Sequence, residues 1–319
     1  MKLKFIAITL AVSALAACSP SKKEKVTDDG SISARTPETE NLLAHLKKVS
    51  SRGFMFGHHD DTNYGIGWEG DEGCSDVKSV CGDYPAVISF DLGHLELGDT
   101  LSLDKVPFSK IRREILNQYK RGGLSSLSWH LRNPLTDTTV VKSILPGGVH
   151  HEKFAGWVSK VSAFINSLQT EDGVKVPVLF RPWHEHTGSW FWWGEKLCTP
   201  EEYKALWHMT VDILRGDGVD NALYAYSPGG EPQDTAQYLK RYPGDDLIDV
   251  IGFDTYQFDR PSYLANVGKS LAIVDSIGRT HDKVIAITET GYEGIPDPKW
   301  WTETLLPAIR DYPIAYGSV

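Results

Sequence analysis

Two glutamates in this sequence stand where a carboxylate could take part in catalysis. Glu185 and Glu289 each follow a short apolar run, residues 176–180 in the first case and 284–288 in the second. An ionised side chain at the end of a buried strand is costly unless it is paired, hydrogen-bonded or functional. A structural salt bridge, for example to Arg181, is the plain alternative for either glutamate.

Two such carboxyl groups suit the hydrolysis of a glycosidic bond with retention of configuration. That reaction needs one carboxyl to protonate the leaving oxygen and a second, roughly 5 Å away, to attack the anomeric carbon. The flanking His184 and His186 could raise the pKa of Glu185, which predicts that Glu185 is the acid/base. Glu289 is predicted to be the nucleophile, held by a neighbour such as the Tyr256 hydroxyl.

A loop dense in tryptophan surrounds Glu185 and predicts a sugar subsite. Sugar rings have apolar C–H faces that stack on aromatic planes. Core packing is the alternative, and we expect it to account for one or two of these rings or more. Trp190 is predicted to be the exposed ring, because Gly188 and Ser189 precede it in a turn. The four tryptophans are Trp183, Trp190, Trp192 and Trp193.

Clusters of histidine and acidic residues raise the possibility of a metal centre. The runs 58–61 (His-His-Asp-Asp) and 184–186 (His-Glu-His) carry possible ligands. Adjacent residues on an extended segment point in opposite directions, however, and no HExxH spacing is present. We therefore predict that the protein uses no metal and no other cofactor.

Eight apolar runs must position these side chains. Several are near-continuous in Val, Ile, Leu and Phe, as in parallel strands buried on both faces. Amphipathic stretches at residues 108–121, 151–168, 201–215, 263–277 and 298–309 lie between them. The predicted strands are residues 53–57, 86–90, 124–129, 176–180, 222–226, 248–253, 284–288 and 314–319.

This alternation predicts a (β/α)8 barrel with a single catalytic domain over residues 37–319. A doubly wound open sheet is the alternative, but the strand count and the absence of a GxGxxG turn favour the barrel. Active sites of such barrels lie at the carboxyl ends of the strands. Strands four and seven, which precede Glu185 and Glu289, face each other there. We expect a complete barrel to need a further loop and helix after Val319.

The N-terminus is typical of an exported lipoprotein. Lys2 and Lys4 precede an apolar run at residues 5–17, which is too short to span a membrane comfortably. The run ends in Leu-Ala-Ala-Cys18, which resembles a lipobox. We predict a signal peptide over residues 1–18, a lipid on Cys18 and a flexible tether over 19–36, with the protein in the periplasm or at the outer membrane of a Gram-negative bacterium. An ordinary signal peptide is the alternative.

Charge and cysteine content narrow the possible partners. A formal charge of −9 argues against a nucleic-acid partner, which needs a basic surface, but does not repel a neutral polysaccharide. We expect a monomer that meets the membrane only through its anchor. Besides Cys18, the chain has Cys74, Cys81 and Cys198, and a disulfide between Cys74 and Cys81 is the local prediction.

The motifs around the two glutamates resemble those of glycoside hydrolase family 26, which is dominated by bacterial β-mannanases. Residues 181–194 (RPWHEHTGSWFWWG) are similar to its acid/base motif, and residues 288–291 (TETG) look like its nucleophile motif. Other blocks follow in the family's order: FGHHD at 56–60, YPAV at 84–87, SWH at 128–130 and FDTY at 253–256. The resemblance covers about residues 36–319 and implies a barrel fold, retention, no metal and β-1,4-mannan as the usual substrate.

The resemblance also implies roles for individual residues. Glu185 would be the acid/base and Glu289 the nucleophile. His184 and Tyr256 would touch the nucleophile or the adjacent sugar, with Asp254 nearby. The remaining implied sugar contacts are Trp190 on the leaving-group side, His130 in the subsite before the cut, and Glu96 further out. The family's tryptophan–arginine pair after strand eight would lie beyond Val319.

Two other functions remain open on the sequence. The same machinery could act on β-1,3-xylan or mixed-linkage β-glucan, since a few family members do so. A non-catalytic glycan-binding lipoprotein could use the aromatic groove without turnover, although the presence of both carboxylates argues against it.

Overall fold

Eight short parallel strands form the centre of the molecule. The computed structural model describes residues 35–134, 140–229 and 234–319. The predicted signal peptide, Cys18 and nearly all of the predicted tether lie outside these residues. The barrel strands are β1 Met55–His59, β2 Val87–Asp91, β3 Leu124–Ser128, β4 Val178–Arg181, β5 Ala222–Tyr226, β6 Val250–Ile251, β7 Val284–Ile287 and β8 Ile314–Ser318.

The strands close on themselves in the order β1-β8-β7-β6-β5-β4-β3-β2. Every neighbouring pair is parallel, and β1 pairs with both β8 and β2, which closes the ring. All five residues of β3 and of β5 are buried, as expected for strands covered on both faces. The predicted (β/α)8 barrel is confirmed, and a closed ring excludes the open-sheet alternative.

Helices cover the outside of this barrel. They follow the strands along the chain, and the largest apolar cluster lies between them and the sheet. None of the helices in the described ranges is long and apolar enough to cross a membrane. The helices are α1 Pro37–Val49, α2 Asp76–Cys81, α3 Phe108–Lys120, α4 Val140–Ile144, α5 His151–Asn166, α6 Pro200–Gly216, α7 Thr235–Leu239, α8 Arg260–His281 and α9 Leu306–Ile309.

Helix α1 was not predicted, although its sequence carries a helix start. Thr36 caps it by accepting a hydrogen bond from the Thr39 N–H, and Pro37 follows in the first turn. Leu46 of α1 is fully buried and joins the apolar cluster inside the barrel, which contributes about 1.5–3 kcal/mol of burial. Arg35, just before this helix, also pairs with Asp249.

The predicted helix at residues 298–309 is interrupted by a π-helical turn. That turn spans Trp301–Leu305 and precedes α9. Pro307 has no N–H, so it cannot donate to the carbonyl of Glu303 as a regular helix requires. The Arg260 guanidinium donates to that carbonyl instead, at 2.6 Å.

The cysteines form no disulfide within the described residues. Cys74, Cys81 and Cys198 are all free thiols, so the predicted Cys74–Cys81 bridge is wrong. Cys81 lies at the end of α2 and its thiol donates to the Asp83 carbonyl at 3.3 Å. Spacing along the chain suggested that the two thiols meet, but Cys81 is the last residue of helix α2 whereas Cys74 lies before its first turn.

Candidate active site

Two short strands continue past β6 and β7 and bring acidic residues to the barrel mouth. They span Asp254–Tyr256 and Glu289–Gly291 and pair in parallel, with Glu289 beside Asp254. The Thr288 N–H donates to the Phe253 carbonyl at 3.1 Å and fixes this register. The carboxyl end of the barrel therefore carries two neighbouring carboxylates on one small sheet.

Glu289 is held on both oxygens by charged or polar donors. The Arg181 guanidinium pairs with Oε1, and the Tyr256 hydroxyl donates to Oε2 at 2.7 Å. Burial pushes the pKa of Glu289 up, but the positive charge of Arg181 and the Tyr256 hydrogen bond outweigh it, and the net shift is downward. Glu289 is 24% exposed. It is thus an ionised carboxylate that still faces the cleft, as a nucleophile must.

The salt bridge proposed as an alternative to catalysis is therefore present, and it is compatible with catalysis. Arg181 is buried and also donates to Asp254 at 3.0 Å. Asp254 faces Glu289 and Glu185 as well. Burial first, and then these two carboxylates, raise the pKa of Asp254 despite Arg181. One guanidinium thus organises several acidic groups, and it leaves Glu289 as the ionised one.

Glu185 lies on the loop after β4 in an unusual backbone conformation. Its φ is +51° and that of Trp183 is +56°, a left-handed region that non-glycine residues rarely occupy. The Glu185 N–H donates to the Ser227 carbonyl at 2.8 Å, which holds the turn. Gly229 makes room for it, because a Cβ there would lie 3.1 Å from the Glu185 Cβ.

The surroundings of Glu185 favour its protonated form. Burial raises the pKa of Glu185, and the negative charge of Glu289 raises it further. The Trp190 indole N–H donates to its Oε2 at 2.8 Å and opposes this shift only in part. The two glutamates have pKa shifts in opposite directions, the arrangement that separates an acid from a nucleophile.

The carboxylates are close enough for a retaining mechanism. One carboxylate oxygen each from Glu185, Asp254 and Glu289 lies within 4.8 Å of the others. Retaining glycosidases place their carboxyl groups about 5–5.5 Å apart, whereas inverting ones leave about 6.5–9.5 Å for a water molecule. The spacing in this chain fits direct attack by Glu289.

Two cavities adjoin the carboxylates. The first, of about 510 Å³, is lined by Glu185, Trp190, Tyr256 and Phe258 among others. The second, of about 310 Å³, is lined by Glu289, His130 and Tyr256 among others. Tyr256 lines both, so the two cavities adjoin at this residue, one beside the acid Glu185 and the other beside the nucleophile Glu289.

The tryptophan loop divides between core and cleft. Trp190 is 63% exposed, whereas Trp183, Trp192 and Trp193 are at most 7% exposed. Trp190 is thus the exposed ring that the sequence predicts. The other three pack against one another with centroid distances of 5.1–5.4 Å, so three of the four tryptophans belong to the core.

Of the two histidines flanking Glu185, only His184 is part of the site. Its Nε2 lies 2.8 Å from Nε2 of His130. His186 is buried between Tyr203 and Tyr226, with ring centroids at 4.6 and 4.9 Å. Neither histidine raises the pKa of Glu185, contrary to expectation; burial and Glu289 do so.

Glu96 lies in a different place from the other predicted site residues. It is fully buried, and its oxygens accept from the Trp129 indole at 3.2 Å and the Arg132 N–H at 2.9 Å. The predicted sugar contact is not supported by this placement, because no carboxylate oxygen reaches the cleft. Glu96 instead ties the loop after β2 to the loop after β3.

Two groups of described residues could offer three ligands to a metal ion. Glu185, Asp254 and Glu289 form one, and His59, Asp60 and Asp104 form the other. In the first group Arg181 already provides positive charge. In the second group, the carboxylates of Asp60 and Asp104 favour the protonated form of His59. Burial alone lowers the pKa of His59, but the hydrogen bond with Asp104 and the charge of Asp60 raise it to about 9.

Several site residues were not singled out by the sequence. Arg181 was considered only as a salt-bridge partner, yet it orients Glu289 and Asp254. Phe258 is 92% exposed on the wall of the larger cavity. Its position four residues after Asp254 in a strand-end loop was a usable signal, because the loops after the strands form the mouth of such a barrel.

Comparison with known proteins agrees with this geometry. The family model for glycosyl hydrolase family 26 matches residues 32–303. The chain belongs to glycosyl hydrolase family 26. The predicted family is thereby confirmed.

Solved structures of family 26 proteins share the fold. A beta-mannanase from Bacteroides ovatus has 58% sequence identity and a TM-score of 0.88, over 89% of this chain and 85% of that chain. A modular endo-beta-1,4-mannanase from Cellulomonas fimi has 34% identity and a TM-score of 0.81, over 89% of this chain and 68% of that chain.

Curated relatives include longer proteins. A mannan endo-1,4-beta-mannosidase from Bifidobacterium adolescentis is 36% identical over 276 residues, which cover 81% of this chain and 27% of the relative. One from Bacillus subtilis is 28% identical over 81% of this chain and 72% of the relative. The chain thus matches about a quarter of the first relative's length and nearly three quarters of the second's.

Proposed function

We propose that this chain hydrolyses β-1,4-mannosidic bonds in mannan, galactomannan or glucomannan with retention of configuration. The observation that carries the proposal is the pair Glu185 and Glu289, whose oxygens lie within 4.8 Å and whose pKa values shift in opposite directions. Mannan as the substrate is supported by membership of family 26 and by the names of the relatives from Bifidobacterium, Bacillus, Bacteroides and Cellulomonas.

The reaction proceeds by double displacement. Glu289 attacks the anomeric carbon while Glu185 gives its proton to the leaving oxygen, which forms a glycosyl ester on Glu289. The Glu185 carboxylate then takes a proton from water as that water attacks the same carbon, and free Glu289 is restored. Arg181 and Tyr256 hold the two Glu289 oxygens, so attack does not require the carboxylate to be reoriented.

The two cavities provide the sugar-binding positions on either side of the cut. The exposed Trp190 ring lies in the larger cavity beside Glu185, where it can stack on the sugar that leaves first. His130 lines the smaller cavity with Glu289, where the sugar that becomes attached to the enzyme would lie. Asp254 takes part by pairing with Arg181.

Reducing-end release from a panel of soluble polysaccharides tests the substrate. We expect activity on mannan, galactomannan or glucomannan; activity on β-1,3-xylan or mixed-linkage β-glucan with none on mannan would overturn the assignment. Products followed over time on mannan distinguish modes of attack. Mannobiose alone from the first minutes indicates exo action, and a ladder of oligosaccharides indicates endo action.

Substitution of each glutamate tests the assigned roles. Glu289→Ala should abolish turnover. Glu185→Ala should lose activity on mannan. It should still form the glycosyl ester on Glu289 from an aryl glycoside whose leaving group needs no proton, and added azide should speed the release of the sugar from that ester. Glu195→Ala, at an exposed ion pair with Lys240, is the matched control and should be unaffected. Full activity in Glu185→Ala would refute the mechanism, and retained mannan binding without turnover in the unsubstituted protein would favour a glycan-binding role.

We further propose that the mature protein is a monomer, exported and anchored through a lipid on Cys18 in the periplasm or at the outer membrane of a Gram-negative bacterium. The sequence Leu-Ala-Ala-Cys18 after a basic start and an apolar run supports the anchor. A single chain provides all the site residues named above, which supports a monomer. Incorporation of a labelled fatty acid that is lost in Cys18→Ser tests the anchor, and light scattering of the protein lacking residues 1–18 tests the monomer.

A further inference from the structure

Asp91, His130 and His184 form a hydrogen-bonded chain across the barrel mouth. Asp91 is the last residue of β2, His130 lies two residues past β3, and His184 lies three residues past β4. The His130 Nδ1 is 2.5 Å from Asp91 Oδ2, and its Nε2 is 2.8 Å from the His184 Nε2. Three consecutive strand ends thus contribute one side chain each.

Asp91 is a buried anion that is surrounded by donors. It is 2% exposed. Its Oδ1 accepts from the N–H groups of Gly93 at 2.6 Å and His130 at 3.3 Å, and its Oδ2 accepts from the Ser128 hydroxyl at 2.6 Å. Its one ion pair among the described residues is with His130. A buried carboxylate 2.5 Å from a ring nitrogen favours the charged form of that ring, so this geometry favours a positive charge on His130.

The second bond of His130 agrees with that charge. Only one proton can lie between the two Nε2 atoms, so one ring donates and the other accepts. His184 is fully buried and faces Arg181, and both burial and that charge lower its pKa. His184 is therefore neutral. A His130 ring that carries both protons donates one to Asp91 and the other to the His184 Nε2; the His184 proton then lies on its Nδ1, which has no hydrogen-bond partner within the described residues.

We propose that Asp91 is a positioning residue that holds His130 as a cation facing the nucleophile Glu289. This proposal rests on the proposed function, because it assigns Asp91 a part in the same reaction. The positive ring opposes protonation of Glu289, in addition to Arg181. Asp91 acts through His130: it borders the smaller cavity, but it is only 2% exposed and both of its oxygens accept hydrogen bonds from protein groups.

The charged groups around His130 set the pH at which its ring loses the positive charge. His130 faces Asp91 and Glu289, which favour its charged form, and Arg181, which opposes it; burial also opposes it, and the net shift of its pKa is upward. His59, the last residue of β1, and Asp60 directly after it also interact with Asp91. Because the pKa of His130 is raised, its charge persists to higher pH than that of an ordinary histidine.

Histidine NMR titration of the full-length protein labelled with ¹⁵N-histidine tests the proposal without substrate. The His130 signals, assigned by their loss in His130→Asn, should titrate above the ordinary value of about 6.5. In Asp91→Asn, which keeps the size of the side chain, the midpoint should fall by about one unit or more. Ser128→Ala is the matched control, because it removes one hydrogen bond to the same oxygen but keeps the charge.

Activity provides the second measurement. Loss of the His130 charge should raise the pKa of Glu289, so the acidic limb of kcat/KM for Asp91→Asn should move to higher pH, while Ser128→Ala keeps the original profile. A His130 midpoint at or below about 6.5 in the unsubstituted protein, or one unchanged in Asp91→Asn, would overturn the proposal. The His130 midpoint of the unsubstituted protein tests the proposal even if Asp91→Asn fails to fold. Failure of the proposed function would instead appear as no hydrolysis of mannan by the unsubstituted protein.

Discussion

The hydroxyl of Tyr256 offers a sharp test of how the nucleophile is kept ionised. It donates to Glu289 Oε2 at 2.7 Å, and Tyr256→Phe removes that bond alone. A hydrogen bond to a charged group contributes about 1.5–3 kcal/mol. Tyr256 is 45% exposed, so water can replace part of the bond and the lower end applies. A loss of about 1.5 kcal/mol corresponds to about one pKa unit on Glu289, and thus to about a tenfold fall in kcat/KM at pH values below the acidic limb.

The sign of the pH effect follows from the same bond. The Tyr256 hydroxyl stabilises ionised Glu289, so its loss should raise the pKa of Glu289 and move the acidic limb of kcat/KM upward by about one unit at most. The assay is initial rates on a soluble manno-oligosaccharide across pH. Tyr312→Phe is the matched control, since that hydroxyl donates to the Gly268 carbonyl at 3.5 Å and not to either glutamate. An unchanged acidic limb in Tyr256→Phe would refute the reasoning.

Three further substitutions separate the roles of neighbouring groups. Trp190→Phe keeps an aromatic face but removes the N–H that lowers the pKa of Glu185, so the alkaline limb of the rate profile should move to higher pH; a shift to lower pH would contradict this. Glu96→Gln should lower the free energy of unfolding by about 1–3 kcal/mol, seen as a lower melting temperature, and leave KM unchanged. A raised KM with normal stability would support the predicted sugar contact of Glu96. Phe258→Ala should raise KM several-fold for longer oligosaccharides without changing the pH profile, because the ring is exposed on the wall of the larger cavity; equal KM values for all lengths would exclude that contact.

The barrel and its two glutamates could be predicted because strand burial leaves a direct trace in the sequence. The near-continuous apolar run at 222–226 is strand β5, Ala222–Tyr226, with the bounds expected. Strand β1 was placed two residues early, at 53–57 instead of Met55–His59. Helix α1 was missed although Thr36-Pro37-Glu38 is the same kind of start as Thr199-Pro200-Glu201 before α6, because it precedes the first strand, outside the repeating pattern.

Side-chain directions at the mouth could not be predicted. The positive φ of Trp183 and Glu185 breaks the extended pattern, so adjacent residues do not simply alternate, and His186 points into the core. Glu96 follows β2 closely, but the loop turns its carboxylate inward to Trp129. Position after a strand indicates nearness to the mouth, whereas contact with substrate depends on loop geometry that spacing does not encode.

The stereochemistry of the first product tests the central claim most directly. Time-resolved ¹H NMR of a manno-oligosaccharide during rapid hydrolysis separates the anomeric signals before mutarotation mixes them. Attack by Glu289 followed by water on the same carbon predicts that the β-anomer appears first, in keeping with carboxylate oxygens within 4.8 Å of each other. Appearance of the α-anomer first would mean a single displacement by water and would contradict the assignment of Glu289 as the nucleophile.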